Sequence, residues 1–277
     1  MFLADYHLHS SCSPDAHNTM SDMALAAHSR GMTCICFTDH SDFDIPETMQ
    51  FGPDSYKVPD EQARQYREAL ESAPSGLRIC LGLELGEANH APERALAVYN
   101  MPDYDFILGS LHNLRDREDF YEIRYRSEEQ CHRLYDLYLD ELIELAAIPC
   151  FDALAHLGYC RRYMSKQGMN AAVTMERNGD KIDKILRILI ENGRGLELNC
   201  ADIIAGGRPD ALLETFPSVP ILRRYRELGG EIITVGSDGH RPCASGFGIA
   251  EGYALLRENG FRYVAAYHNH KPEFVSI

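Results

Sequence analysis

The sequence lacks the features of a membrane-spanning or exported protein. No uninterrupted apolar run approaches the roughly eighteen residues that a transmembrane helix needs. The N-terminal segment MFLADYHLHSSCSPDAH has no basic stretch and reaches Asp5 and His7 almost at once, so it does not resemble a signal peptide. We therefore expect a cytoplasmic protein.

Cysteine is present but is not arranged as a disulfide framework or a zinc knuckle. The nine cysteines are odd in number and scattered, and Cys34, Cys36 and Cys80 lie inside apolar runs. The spacing of Cys34 and Cys36 is not that of a structural zinc site. The pattern predicts reduced thiols, most of which fill the core.

Positive charge is scarce. The chain has 27 lysines and arginines against 42 aspartates and glutamates, a net charge of −15. Such an acidic protein is a poor candidate for nonspecific binding to nucleic acid or to an anionic membrane. A small anionic substrate remains compatible with this composition, because metal ions and a few arginines can reverse the local field. Oligomeric state is not predicted.

No internal repeat, low-complexity tract or linker divides the chain, so we expect a single domain over residues 1–277. Short β-rich runs alternate with amphipathic runs. The predicted strands are 3–9, 33–38, 77–84, 106–111, 152–155, 195–199 and 232–236. The predicted helices are 21–30, 59–72, 91–99, 127–146, 181–192, 222–228 and 248–259. This alternation indicates a parallel α/β architecture.

Polar side chains mark the carboxyl end of every predicted strand. They are His7 and His9, Asp39 and His40, Glu84, His112, His156, Asn199, and Asp238 with His240. In an open sheet only the strands beside a switch point need such residues, whereas in a barrel all carboxyl ends meet at one mouth. We therefore predict an α/β fold of the TIM-like, distorted (β/α)7 barrel type.

The strongest local motif is His7-x-His9 at the end of the first strand. Side chains two residues apart on a strand point the same way, so both imidazoles can bind one ion. A lone motif of this kind is more often two ordinary polar residues. Here it recurs with TDH, SLH, AH and SDGH at the other strand ends, which favours a metal site. Imidazole with carboxylate suits two or three divalent ions, zinc, manganese or iron.

Taken together, these motifs resemble the PHP (polymerase and histidinol phosphatase) superfamily of metal-dependent phosphoesterases, from Asp5 to about Gly248. The segments GLELGEANHAPERA, DYDFILGSLHNL, FDALAHLGYCRRY and LELNCADIIAGGRPD are most similar to the monofunctional histidinol-phosphate phosphatases. The resemblance implies a hydrolase of histidine biosynthesis, a histidinol-phosphatase that converts L-histidinol phosphate to L-histidinol and phosphate.

The same resemblance implies a trinuclear metal centre. The first ion would take His7, His9, Glu84 and Asp238, the second Glu84, His112 and His156, and the third His40, His240 and one more ligand. That last ligand is Asp15, with His17 as the alternative. Arg161, Arg162 and Arg208 match phosphate-binding positions, where a guanidinium can donate two parallel hydrogen bonds.

The implied mechanism is attack by a metal-bridging hydroxide on phosphorus. Glu84, Asp238, His240 and Asp15 are the catalytic candidates, and the proton donor to the leaving alcohol stays open among Asp15, His17 and His240. The alternatives are a phosphatase or phosphodiesterase acting on nucleotides or another phosphoester, a silent metal-binding barrel, and an amidohydrolase-like barrel.

Histidines outside the strand-end series are expected to be structural. They are His28 and His132 on helices, His90 in a loop with no partner, and His268-x-His270 in the tail.

Overall fold

The computed structural model describes residues 2–44, 58–169, 175–203 and 216–277. Seven strands form one parallel sheet in sequential order: β1 Ala4–Leu8, β2 Cys34–Asp42, β3 Arg78–Gly86, β4 Phe106–Ser110, β5 Ala153–Leu154, β6 Gly195–Asn199 and β7 Ile233–Gly236. The last strand returns to the first, since Leu8 pairs with Gly239 and the amide of Asp238 donates to the carbonyl of His7 at 2.9 Å. The sheet is thus a nearly closed, distorted (β/α)7 barrel, as predicted.

The helices cover the outside of this sheet. They are α1 Met20–Ser29, α2 Asp60–Glu71, α3 Pro92–Tyr99, α4 Glu128–Ala147, α5 Tyr159–Lys166, α6 Met175–Glu191, α7 Val219–Glu227 and α8 Ile249–Glu258. Residues at the N-termini explain where several of these helices begin. Thr19 and Asp22 form a reciprocal capping box at α1, Ser127 caps α4, and Pro92 opens α3 at a position where its missing amide costs nothing. Within the described part of the chain, no helix is long and apolar enough to cross a membrane.

Two strands and one helix were not predicted. The tail folds into an antiparallel hairpin of β8 Tyr263–His268 and β9 Lys271–Ser276, and α5 follows β5 directly. Strands β2 and β3 also run further than predicted. His40 and Asp39 lie within β2, where His40 pairs with Glu84 of β3, because the two strands stay in parallel register up to Asp42.

Two apolar layers hold the barrel. The outer layer lies between strands and helices. The inner layer fills the barrel and includes Tyr6, Cys34, Cys36, Cys80 and Phe106, with Tyr267 of the hairpin packed beneath them. The hydroxyl of Tyr6 donates to the carbonyl of Tyr267 at 3.2 Å, so the hairpin closes the end of the barrel opposite the strand carboxyl ends. As predicted, most cysteines are buried thiols, and all nine are free.

The pairing of β1 with β2 shifts by one residue between Asp5 and Leu8. Such a bulge turns a side chain away from strict alternation. As a result, the consecutive residues Tyr6 and His7 both face the barrel interior. Tyr6 packs edge-on against Phe106 at 5.2 Å, while His7 lies 3.1 Å from Glu84.

Candidate metal centre

Nine of the predicted site residues converge at the mouth of the barrel. Their distances and burial define a compact group made of His7, His9, Asp15, His40, Glu84, His112, His156, Asp238 and His240. Several strands and the loops that follow them deliver these side chains, so the group exists only when the barrel has closed. The structure thereby places every predicted metal ligand in one cluster.

Glu84 lies at the centre of the group and is buried. Its Oε1 lies 3.0 Å from His112 Nε2 and 2.7 Å from His156 Nε2. Its Oε2 lies 3.1 Å from His7 Nε2, 3.2 Å from His40 Nδ1 and 3.5 Å from His9 Nε2. Burial opposes ionisation, but the histidines His7, His112 and His40 outweigh it and hold the pKa of Glu84 well below its usual range. One carboxylate therefore faces two separate sets of imidazoles.

Asp238 lies beside His7 and His9, the two cluster histidines that β1 delivers. Its Oδ1 lies 3.7 Å from His7 Nε2 and 3.6 Å from His9 Nε2. Its other oxygen accepts from Arg162 Nη1 at 3.1 Å. The backbone of Asp238 has φ +54° and that of His156 has φ +24°, the left-handed region that non-glycine residues rarely adopt. Two strained residues at one site are typical of a functional constraint.

Asp15, His40 and His240 form the outer part of the cluster. Asp15 Oδ2 lies 3.0 Å from His240 Nε2 and 3.7 Å from His40 Nε2. The ring of His9 stacks on that of His240 at 4.0 Å. His17, the alternative to Asp15, is exposed. The structure thus brings Asp15 to this end of the group.

The donor set fits divalent cations. The buried Nε2 of His9 has no hydrogen-bond partner among the described residues. Burial, followed by the charges of His240 and His40, holds the pKa of His9 well below its ordinary value, so the ring is neutral and can act as a ligand. Three groups within the cluster have donor atoms close enough to hold an ion: His7, His9 and Glu84; His9, His40 and His240; and His40, Glu84 and His112. The mouth of the barrel is therefore a metal-binding cluster.

Several carboxylates behind the histidines were not predicted. Glu197 Oε1 lies 2.6 Å from His7 Nδ1, and Asp42 Oδ1 lies 3.4 Å from His112 Nδ1. Such outer partners fix the orientation of a ligating imidazole. Glu197 stands inside an apolar strand, GLELN, and a buried carboxylate in such a run was the signal that could have identified it.

The three candidate phosphate-binding arginines have different positions. Arg162 is buried between the rings of Tyr159 and Phe216, and its guanidinium also donates to Asp202 and Asn199. Burial raises the pKa of Tyr135 and that of Cys160, and the charge of Arg161 opposes both shifts. Because Tyr135 belongs to α4, Arg161 lies near that helix. Arg208 lies outside the described residues. Arg162 thus touches the cluster through Asp238.

Three of the remaining histidines, His90, His268 and His270, contact carboxylates outside the cluster. His90 was expected to lack a partner, but its ring lies between Asp44 and Glu141, with Glu141 Oε2 at 2.5 Å from Nε2. The chain brings these residues together from distant segments, which local sequence could not show. His268 and His270 bind Asp105 and Asp152, far from the mouth. His28 is exposed and His132 is half-buried on α4.

Known proteins resemble this chain over most of its length. The PHP domain family matches residues 5–201. A probable histidinol-phosphatase of Thermotoga maritima is 29% identical, with 95% of each chain covered. The histidinol-phosphatase of Lactococcus lactis is 26% identical, with 96% of this chain and 95% of its own covered. The crystal structure of histidinol phosphate phosphatase from Lactococcus lactis, complexed with zinc, L-histidinol and phosphate, superposes with a TM-score of 0.78 at 25% identity and 98% coverage of both chains.

Proposed function

This chain belongs to the PHP domain family, and we propose that it is a metal-dependent histidinol-phosphatase that hydrolyses L-histidinol phosphate to L-histidinol and phosphate in histidine biosynthesis. The observation that carries the proposal is the match over 98% of both chains to the Lactococcus lactis enzyme whose structure holds zinc, L-histidinol and phosphate. The cluster around Glu84 supplies the donors that this chemistry requires.

We propose that the cluster holds two or three divalent ions, zinc, manganese or iron. The first would bind His7, His9, Glu84 and Asp238, the second Glu84, His112 and His156, and the third His40, His240 and Asp15. The two oxygens of Glu84 support the first two assignments, because Oε2 faces His7 and His9 whereas Oε1 faces His112 and His156. When bound, such ions activate water and stabilise the charge that develops on a phosphoryl group.

Arg162 is the proposed link between the phosphate side of the site and its metal ligands. Its guanidinium has five N–H donors, and Asp202, Asp238 and Asn199 accept from three of its nitrogen atoms. The planar fork therefore holds Asp238 in place and can direct a remaining N–H towards an anion. We propose phosphate contacts for Arg162, and for Arg161 and Arg208 as the sequence predicts.

The donor of the proton that the leaving alcohol takes stays open among Asp15, His17 and His240, and an ion bound at His240 would make that residue a poor donor. Asp15 and His240 form the exposed end of the cluster, with 54% of the Asp15 side chain accessible. Burial lowers the pKa of His240, but Asp15 and Asp238 raise it above its ordinary value. Burial raises the pKa of Asp15, but His240 and His40 outweigh it and hold that pKa well below its ordinary value.

The family match and the full-length relatives also support one domain over residues 1–277, which we propose as the organisation of the chain. The cytoplasmic location and the absence of nucleic-acid binding expected from the sequence stay predictions.

The test is a comparison of substrates. Purified protein loaded with zinc or manganese should release phosphate from L-histidinol phosphate much faster than from p-nitrophenyl phosphate or AMP. Equal rates on all three would remove the assignment to histidine biosynthesis and favour a phosphatase or phosphodiesterase of broader range. Stoichiometric metal without turnover of any phosphoester would instead favour a silent metal-binding barrel.

A further inference from the structure

Glu197 lies in β6, with its side chain inside the barrel and 1% of the residue exposed. Its Oε1 lies 2.6 Å from His7 Nδ1. Its Oε2 accepts from the backbone amide of His156 at 2.7 Å. A single carboxylate thus contacts two proposed ligands, one on the first ion and one on the second.

Glu84 contacts the same two histidines from the opposite side. Its Oε2 lies 3.1 Å from His7 Nε2, and its Oε1 lies 2.7 Å from His156 Nε2. His7 is therefore held between two carboxylates, with Glu197 at Nδ1 and Glu84 at Nε2. Because only one nitrogen of a neutral imidazole carries a proton, the partner of Nδ1 decides which nitrogen is left as a ligand.

An ionised carboxylate accepts hydrogen bonds at both oxygens and donates none. The His156 amide already donates to Oε2 of Glu197. The short contact at Oε1 is then a hydrogen bond from the Nδ1–H of His7, so Nε2 is the nitrogen that remains to bind an ion. The carboxylate of Glu197 can accept a hydrogen bond at each of its two oxygens, whereas the amide of a glutamine has only one oxygen that can accept.

Glycine at position 236 leaves room for this arrangement. A Cβ atom built on Gly236 of β7 would lie 2.3 Å from Glu197 Oε1 and 2.4 Å from the Cβ of His7. Real Cβ atoms essentially never approach so closely. Any larger residue would push Glu197 and His7 apart, so the contact is built into the barrel by three strands.

We propose that Glu197 is a positioning residue that fixes His7 as the Nδ1–H tautomer and sets its separation from His156, so that the first and second ions bind side by side. The inference rests on the proposed metal centre but not on the identity of the phosphoester.

The test uses Glu197→Gln and the matched control Glu231→Gln, which makes the same chemical change at an exposed residue just before β7. The amide introduced by Glu197→Gln has one acceptor for two N–H donors. If its NH₂ group faces His7, the ring must accept at Nδ1 and carry its proton on Nε2, where it blocks the ion. If the NH₂ group faces His156, it meets the backbone N–H of His156, and neither donor has an acceptor.

Zinc affinity is measured on the whole protein by competition with a chelator, and ion content by mass spectrometry. We expect Glu197→Gln to weaken binding of one ion about 10- to 100-fold, the usual cost of losing such a partner, while the control is unchanged. Phosphatase kcat should fall at limiting zinc and recover in excess zinc, with KM for substrate unaltered. Wild-type zinc affinity in Glu197→Gln would overturn the proposal, whatever the phosphoester specificity of the chain.

A second measurement applies even if the variant does not fold. In wild-type protein labelled with ¹⁵N-histidine, assigned with a His7→Asn variant, His7 should carry its only proton on Nδ1 once zinc is bound. A zinc-bound His7 that is protonated on Nε2, or that binds zinc through Nδ1, contradicts the assigned role.

Discussion

Asp15 Oδ2 lies 3.0 Å from Nε2 of His240, a contact between a loop after β1 and a loop after β7. The same oxygen lies 3.7 Å from Nε2 of His40 in β2. Two imidazole nitrogens thus converge on one carboxylate oxygen, which is the arrangement expected for ligands of a shared cation. The first prediction follows from this relationship.

Asp15→Asn should remove one ion and lower kcat about 10²- to 10³-fold, the usual effect of losing one group that stabilises transition-state charge. His17→Asn is the matched control and should stay within about twofold of wild type, because His17 is exposed. Metal content and phosphate release from L-histidinol phosphate are measured on both. A larger loss in the His17 variant would reverse the assignment of the ligand.

Glu84→Gln should remove metal and activity together. The amide keeps the size of the side chain but loses the charge that faces the surrounding imidazoles at 2.7 to 3.5 Å. We expect at least about a 10³-fold fall in kcat, since more than one ion depends on this residue. Ion counting by mass spectrometry distinguishes loss of metal from loss of chemistry. Full metal content with full turnover would show that Glu84 does not bridge the ions.

Arg162→Lys should damage the site far more than Arg161→Lys. A lysine cannot serve Asp202, Asp238 and Asn199 from one planar group, nor stack between Tyr159 and Phe216 in the same way. We expect kcat/KM to fall about 100-fold or more for Arg162→Lys and less than about tenfold for Arg161→Lys. Similar losses in the two variants would mean that Arg161 also reaches the phosphate.

Metal binding should release a proton from His40. Burial lowers the pKa of this imidazole, but Glu84, Asp42 and Asp15 raise it to about 9 in the metal-free protein. Because the folded pKa lies above the ordinary value of 6.5, the charged ring stabilises the metal-free fold below about pH 6.5, and this contribution is lost as pH rises through 9. An ion that binds at His40 must displace that proton when the pH is below about 9.

Apparent metal affinity should therefore increase with pH between about 7 and 9, by about tenfold per pH unit for each proton displaced. Calorimetric titration in buffers of different ionisation enthalpy counts the protons released at about pH 7.5 and at about pH 9.5. His40→Asn should release about one proton fewer than wild type at the lower pH only. Equal release by wild type and variant at the lower pH contradicts the assignment.

His268 and His270 should stabilise the hairpin and leave catalysis unchanged. His270 Nδ1 lies 2.8 Å from the buried Asp152 Oδ2, whereas His268 is mostly exposed beside Asp105. We expect His270→Ala to lower the free energy of unfolding by about 1 to 3 kcal/mol, because it removes a partner of a buried carboxylate. His268→Ala should cost less than about 1 kcal/mol.

Urea unfolding curves give both values for the hairpin variants, and metal content and kcat serve as the controls. Loss of an ion from the His270 variant would show that this second HxH motif binds metal after all.

The sequence by itself determined the seven strands, their order and the polar residues at their carboxyl ends. These are local patterns: alternation of β-rich and amphipathic runs, and histidine or carboxylate at each strand end. Parallel strands bring such ends together whatever the details of packing, so these patterns identify eight of the nine cluster residues. The ninth, Asp15, follows only from the family resemblance, with His17 as its alternative.

Only the tertiary structure decided how those residues meet. The bulge in β1 turns His7 inwards beside Tyr6, and the loop after β1 brings Asp15 to His240 while His17 stays exposed. Glu197 is distant in sequence from His7, and its role depends on three strands coming within hydrogen-bonding reach. A side chain's partner, and hence the nitrogen that it leaves free to bind, is a property of packing across the barrel, which no local pattern contains.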